Sequence, residues 1–254
     1  MTYFQLVKTE FIKLRRSHIF WILLAPVILL WIPCFFNADL HFESMGISPE
    51  NNFFIQSYLG FAWFMFPASF VICTVLLTQS ERSHRGLQKM LSLPVNPRLL
   101  CLAKFTILLI LAAFQLFLMA AVYFPVVLII SHMQDYSMAL PVTLVLKESC
   151  FLLLSSIPMA AFYWLLSVCI HTPAFSVGAG LASIVPSMLI INTKAWFAYP
   201  VSYPIYTLMI LRGTMEKDFE GFVMEAVPWI PTACGLTLLF LVLACMRFGK
   251  YERR

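Results

Sequence analysis

QSERSHRGLQKMLSLPVNPRLLCLAK, from Gln79 to Lys104, is the longest polar and charged interruption in an otherwise very apolar chain. Strongly hydrophobic runs flank it on both sides. Leu87, Met90 and Leu91 form an apolar stripe at i, i+3, i+4, which predicts a short helix after Gly86. Pro94 ends that helix, because proline lacks the amide hydrogen and its ring clashes with the preceding turn. Asn96-Pro97 then reads as an N-cap followed by proline at the first helical position.

The rest of the chain reads outward from this break. Of 254 residues, 61% are hydrophobic and only 11% charged, whereas soluble domains carry about 25% charged residues. A membrane span needs about 20 apolar residues, so six spans use roughly 120. No remaining stretch is long and polar enough for a separate soluble domain of about 100 residues. The fold class is therefore all-α: one polytopic membrane domain over residues 1–254. Its expected parts are an interfacial helix at 1–18, a loop at 79–98, and spans at about 19–36, 53–78, 99–131, 149–170, 175–191 and 228–248.

In the N-terminal segment, Tyr3, Val7, Phe11 and Leu14 share one face at helical spacing, with Gln5, Thr9, Lys13 and Arg16 opposite. Lys8 and Arg15 add positive charge. Such a helix lies in the membrane interface with its basic side toward anionic headgroups. A signal-peptide leader is the competing reading, but no small-x-small cleavage site follows the apolar run.

Within the spans, Trp21 and Trp31 are expected near the two interfaces. Gln56, Ser57 and Ser69 are candidates for bonds between helices, and Gly178 and Gly180 for close helix contact. Lys104 is expected to snorkel out of the first turns of span 3. Residues Trp196 to Val227 begin aromatic, are broken by Pro200 and Pro204, and end acidic. A re-entrant or interfacial hairpin between spans 5 and 6 fits them better than a seventh span.

Charge orients the whole. One side carries thirteen basic residues against three acidic, a net +10, and the other four basic against nine acidic, a net −5. Together they account for the formal net charge of +5. The basic side is the cytoplasmic one by the positive-inside rule, which places both termini inside.

The chain shows no chemistry of its own. An ion-driven carrier places ionisable groups mid-membrane, and the expected spans hold none away from their ends. There is no His-Glu-x-x-His metal site, no catalytic constellation and no phosphate-binding Gly-x4-Gly-Lys-[Ser/Thr] loop. The five histidines are scattered without ligand spacing, which argues against a metal. The seven cysteines lie in or beside apolar runs and read as small hydrophobes. A transport role therefore needs an ATPase on another chain. Glu81, Arg82, Arg85 and Lys89 rim the short loop helix, where a partner would grip it; the competing reading is that these charges only set topology.

An N-terminal interfacial helix, six spans, an acidic residue just after span 2 and the Leu-Ser-Leu-Pro-Val-Asn-Pro-Arg element leading into span 3 resemble the permease subunits of type-2 ABC exporters. More closely, EFIKLRRSHIFWILLAPVILLWIP (Glu10 to Pro33), ENNFFIQSYLGFAWFMFPASFVICTVLLTQSERSHRG (Glu50 to Gly86) and GLASIVPSMLIINTKAWFAYP (Gly180 to Pro200) resemble permeases of bacterial lantibiotic-immunity ABC exporters. The likeness covers most of the chain and is weakest over Val201 to Val227.

That resemblance implies a permease in the bacterial cytoplasmic membrane. It implies pairing with a second similar permease, or a second copy, and with two copies of a soluble ATPase. ATP and Mg2+ would be held by that partner, with no cofactor on this chain. Glu81, Arg82, Arg85, Leu87, Lys89, Met90 and Leu91 would form the coupling element seated in the ATPase. The basic helix bearing Lys8, Phe11, Lys13, Arg15 and Arg16 would slide at the inner interface. The cargo would be a membrane-active cationic peptide of the lantibiotic type. The acidic outer side would draw it in by its field, and Trp196, Phe197, Tyr199 and Tyr203 are candidates for a lateral gateway. The same aromatics also suit a plain interface belt. A different amphipathic cargo, or a non-transporting protein that sequesters peptide, are the alternatives.

Overall fold

The computed structural model describes residues 3–15, 19–38, 47–82, 96–138, 140–215 and 226–248. The side chains at 15, 80–82 and 226 lie outside that description. Among the described residues, ten α-helices follow one another: α1 (Tyr3–Arg15), α2 (Ile19–Phe36), α3 (Pro49–Gly60), α4 (Phe66–Arg82), α5 (Pro97–Gln134), α6 (Val142–Cys169), α7 (Pro173–Ala182), α8 (Pro186–Ile190), α9 (Tyr203–Met215) and α10 (Ala226–Arg247). No strand occurs among the described residues. Among the described residues, six helical stretches are long and apolar enough to cross a membrane: Ile19–Phe36, Pro49–Gln79, Pro97–Gln134, Val142–Cys169, Pro173–Ile190 and Val227–Arg247. The protein is an all-helical, multi-pass membrane protein.

Helix α5 is the spine. Its 38 residues span about 57 Å at 1.5 Å per residue. It starts where the loop stretch predicts: Asn96 Oδ1 accepts from the Arg98 backbone amide at 3.0 Å, with Pro97 at the first helical position. It stops at Asp135, whose φ of 48° is left-handed, a conformation Asp tolerates better than most residues. Helices α1, α2, α6 and α10 all pack on it.

The second span is one continuous helical stretch with a local widening. Residues Phe61–Met65 form a π-turn between α3 and α4. Pro67 lacks an amide hydrogen and crowds the carbonyl one turn back; widening the helix just before it relieves that conflict. In α10, Val227 is extended (φ −114°, ψ 124°), as the ring of the following proline favours. The working helix therefore begins at Pro228.

Where the helices differ from the sequence reading, local physics explains it. Lys147 and Glu148, expected in a loop, sit in the first turns of α6, since two charges near a helix end reach the interface. Trp31, expected at an interface, is buried against Phe53 and Tyr123, while Trp21 is exposed. A tryptophan fits a core as well as a belt when aromatic partners stand opposite. Of the expected hairpin, α9 is described; at 13 residues it is too short to cross, and residues 216–225 lie outside the description.

Candidate coupling end and lateral groove

The sequence puts net positive charge on one side of the bundle and net negative charge on the other. The end of α1, the end of α4, the start of α5 and the ends of α6 and α10 meet at the basic end. There the Trp164 indole N–H donates to Cys101 Sγ at 3.3 Å, and Cys245 Sγ lies 3.9 Å from the Arg98 carbonyl. At the acidic end, the Tyr136 hydroxyl donates to Glu50 Oε2 at 2.8 Å, joining α5 to α3. That bond pushes the Tyr136 pKa up, because it holds the phenol proton against a carboxylate.

At the basic end, Lys104 does not snorkel. It is 1% exposed, and its ammonium donates to Glu10 Oε2 at 2.6 Å and to the Leu77 carbonyl at 3.3 Å. Glu10 Oε1 also accepts from Lys13 Nζ at 2.5 Å. One buried carboxylate thus ties α1 to α5, and one ammonium ties both to the last turns of α4. Burial alone would raise the Glu10 pKa, but Lys104, with Lys13, more than offsets it and holds the pKa below the usual carboxylate range.

This pairing sets the face that α1 buries. Tyr3, Leu6, Val7, Glu10 and Leu14 turn toward α5, and the Tyr3 hydroxyl bonds to Thr106. Phe11, expected on that face, is exposed together with Phe4 and Ile12, so α1 presents a second apolar edge outward. Lys8 and Lys13 are exposed too; the Arg15 side chain and Arg16 lie outside the described residues. Where the end of α4 meets the end of α6 and the start of α7, Thr78, Gln79, Ser167, His171 and Ser176 line a cleft of about 200 Å³. Thr78 and Ser167 share a hydrogen bond of 2.7 Å across it. The backbone of Glu81 and Arg82 continues α4 past this cleft. Arg85, Leu87, Lys89, Met90 and Leu91 lie outside the described residues.

Toward the acidic end, the structure sorts the four gateway aromatics. Trp196 and Tyr203 come within 6.3 Å, with Phe197 against Trp196. Tyr199 departs, its hydroxyl bonding to the Ser183 carbonyl. Two rings the sequence reading did not assign complete the cluster. Tyr206 stacks on Trp196 at 3.7 Å, and Trp229 packs edge-on against Tyr206 at 5.2 Å. Tyr206 lies one turn beyond Tyr203, a spacing that was legible; Trp229 comes from another span, and nothing local marks it. Beside this cluster, α6, α9 and α10 enclose an almost wholly apolar groove of about 590 Å³. Of the four gateway aromatics, only Tyr203 reaches its wall.

The family model described as "ABC-2 family transporter protein" matches residues 6–188, which takes in α1 to α7 and the connecting loop. The chain belongs to the ABC-2 transporter family. No curated protein matches it. As an ABC-2 membrane chain it is a transport subunit of an ABC exporter, and its family implies an ATP-binding partner subunit. At the basic end, three helices are pinned together by a single buried ion pair.

Proposed function

We propose that this ABC-2 subunit expels lantibiotic-type antimicrobial peptides from the bacterial cytoplasmic membrane, giving self-immunity or resistance. Both termini face the cytoplasm, and two ATPase subunits, carrying ATP and Mg2+, dock on the basic end through Glu81 to Leu91. The permease works beside a second permease, homologous or identical. The observation that supports the cargo reading is the lateral groove, whose wall includes Tyr203 and Trp229, with Trp196, Phe197 and Tyr206 clustered behind them. An amphipathic peptide in the outer leaflet meets an apolar slot there, near the acidic end. The slot also suits another amphipathic cargo, lipid or drug, because no charged side chain lines it among the described residues.

The test is peptide resistance in cells expressing the permease with its ATPase. Exchanging Arg85 and Lys89 for Glu, or Leu87 and Met90 for Asp, is expected to abolish resistance while insertion is retained. A partner ATPase unable to hydrolyse ATP should do the same. Resistance unchanged by the inactive ATPase would replace export by sequestration. Resistance unchanged by the loop variants would move the coupling site elsewhere.

A further inference from the structure

All seven cysteines read as small hydrophobes in the sequence, yet the fold brings two of them together at the basic end. Cys101 lies in the second turn of α5 and Cys245 in the last turn of α10, and these helices pack on each other. A chain of hydrogen bonds runs through the pair across three helices. The Trp164 indole N–H of α6 donates to Cys101 Sγ at 3.3 Å. Cys101 and Cys245 are hydrogen-bonded thiol to thiol. The Cys245 thiol donates on to the Arg98 carbonyl at 3.9 Å, and Arg98 stands one turn before Cys101 on the same face of α5. One turn beyond Cys245, the Phe248 ring stacks on Trp164 with centroids 6.4 Å apart. Contacts on both sides therefore hold the two sulfurs against each other. Packing accounts for either cysteine alone; it does not account for a bonded pair.

The two thiols differ in access. Cys101 is fully buried, whereas Cys245 is half-buried, two residues from the exposed Arg247 and beside the exposed Arg98. A small oxidant arriving from water therefore meets Cys245 first. Thiol sulfur is the nucleophile toward such oxidants, and the sulfenic acid it forms condenses with a neighbouring thiol. Cys245 is placed for the first step and Cys101 for the second. Position gives the bond a consequence. Helix α5 begins where the loop after α4 ends, so a link at Cys101 ties the first turns after that loop to the end of α10. In a compartment that keeps thiols reduced, a disulfide of this kind is transient and redox-sensing.

We propose that Cys101 and Cys245 form an oxidation site for a hydroperoxide, hydrogen peroxide being the simplest, and that the resulting disulfide clamps α5 to α10 and stops ATP-driven movement. The Cys245 sulfur attacks one peroxide oxygen. The S–O bond forms, the O–O bond breaks, and the departing hydroxide leaves as water with the Cys245 thiol proton. Cys101 then attacks the Cys245 sulfur. The S–S bond forms, the S–O bond breaks, and the second hydroxide leaves as water with the Cys101 proton. The two sulfurs give up two electrons, and the peroxide is reduced to water. A dithiol reductant reverses the step by exchange. The clamp rests on the reading that ATP hydrolysis on a partner moves α5; the oxidation site does not, and neither depends on the cargo.

The experiment uses the full-length chain purified with its ATPase in detergent, fully reduced and then treated with hydrogen peroxide. Intact mass and a peptide map read the link, and ATP turnover reads the clamp. The wild type is expected to lose two hydrogens, about 2 Da, with the peptides of Cys101 and Cys245 joined. ATP turnover should be lost as the link forms and return with dithiothreitol. Cys245→Ser and Cys101→Ser should each prevent the link and keep turnover under peroxide. In Cys101→Ser, dimedone should trap a sulfenic acid at Cys245. A peptide map of the oxidised wild type without the joined peptides overturns the oxidation site. A complete link that leaves turnover unchanged overturns the clamp. Turnover lost to peroxide in Cys245→Ser overturns it too, because inhibition then comes from another residue. The readouts are the link and ATP turnover rather than peptide resistance, so the cargo reading can fail without this one.

Discussion

Glu10 and Lys104, 94 residues apart, form an ion pair of 2.6 Å in which both side chains are almost fully buried. Removing one partner of a buried pair strands the other charge and costs about 3–5 kcal/mol. Glu10→Leu or Lys104→Met alone should therefore lower the thermal unfolding midpoint sharply in detergent. The double replacement should recover most of the loss, because two apolar side chains leave no stranded charge. Lys13→Ala should matter little, since half-exposed pairs contribute about 0–1 kcal/mol.

The same pair makes stability depend on pH in one direction. The Glu10 carboxyl has a folded pKa below its ordinary value of 4.5. Its contribution is fully present above 4.5 and is lost as pH falls through the lower, folded pKa. The stability gap between wild type and Glu10→Gln should thus stay constant from neutral pH to about 4.5. It should narrow only below that. A gap that shrinks already between pH 7 and pH 5 would show that Glu10 is not held ionised by Lys104.

Midway along the bundle, Gln115 Nε2 donates to Ser69 Oγ at 2.7 Å, joining α5 to α4. Hydrogen bonds between membrane helices average about 0.6 kcal/mol and reach about 1.7. A double-mutant cycle with Gln115→Leu and Ser69→Ala should return a coupling in that range. Ser69 also donates to the Met65 carbonyl, and Ser69→Ala takes the acceptor from the buried Gln115 amide, so that single change should cost about 1–3 kcal/mol.

Two neighbouring glycines should respond in opposite ways. A Cβ at Gly180 would stand 2.6 Å from Val71 Cγ1, whereas one at Gly178 meets nothing within 4 Å. Gly180→Ala should therefore destabilise by about 1–3 kcal/mol, the usual penalty of overpacking, and Val71→Ala should rescue it. Gly178→Ala should be neutral or stabilising by up to about 1 kcal/mol, the helix propensity gained. Thermal unfolding of the two single variants and the double variant reads this directly.

Span count, all-α class and the N-cap at Asn96 were legible in the chain itself. Each depends on local composition: about 20 apolar residues make a span whatever they touch, and a capping side chain needs only its own helix. Which charges and rings meet was not legible. Lys104 read as an interfacial snorkel because nothing near it in sequence is acidic; only the docking of α1 brings Glu10 to it. Gly178 and Gly180 look alike in sequence, and only the position of α4 separates them. Trp229 joins Tyr203 and Tyr206 because α9 and α10 both pack against α6, with the groove between them. Burial and pairing are properties of surfaces brought together by folding, so tertiary structure alone decided them.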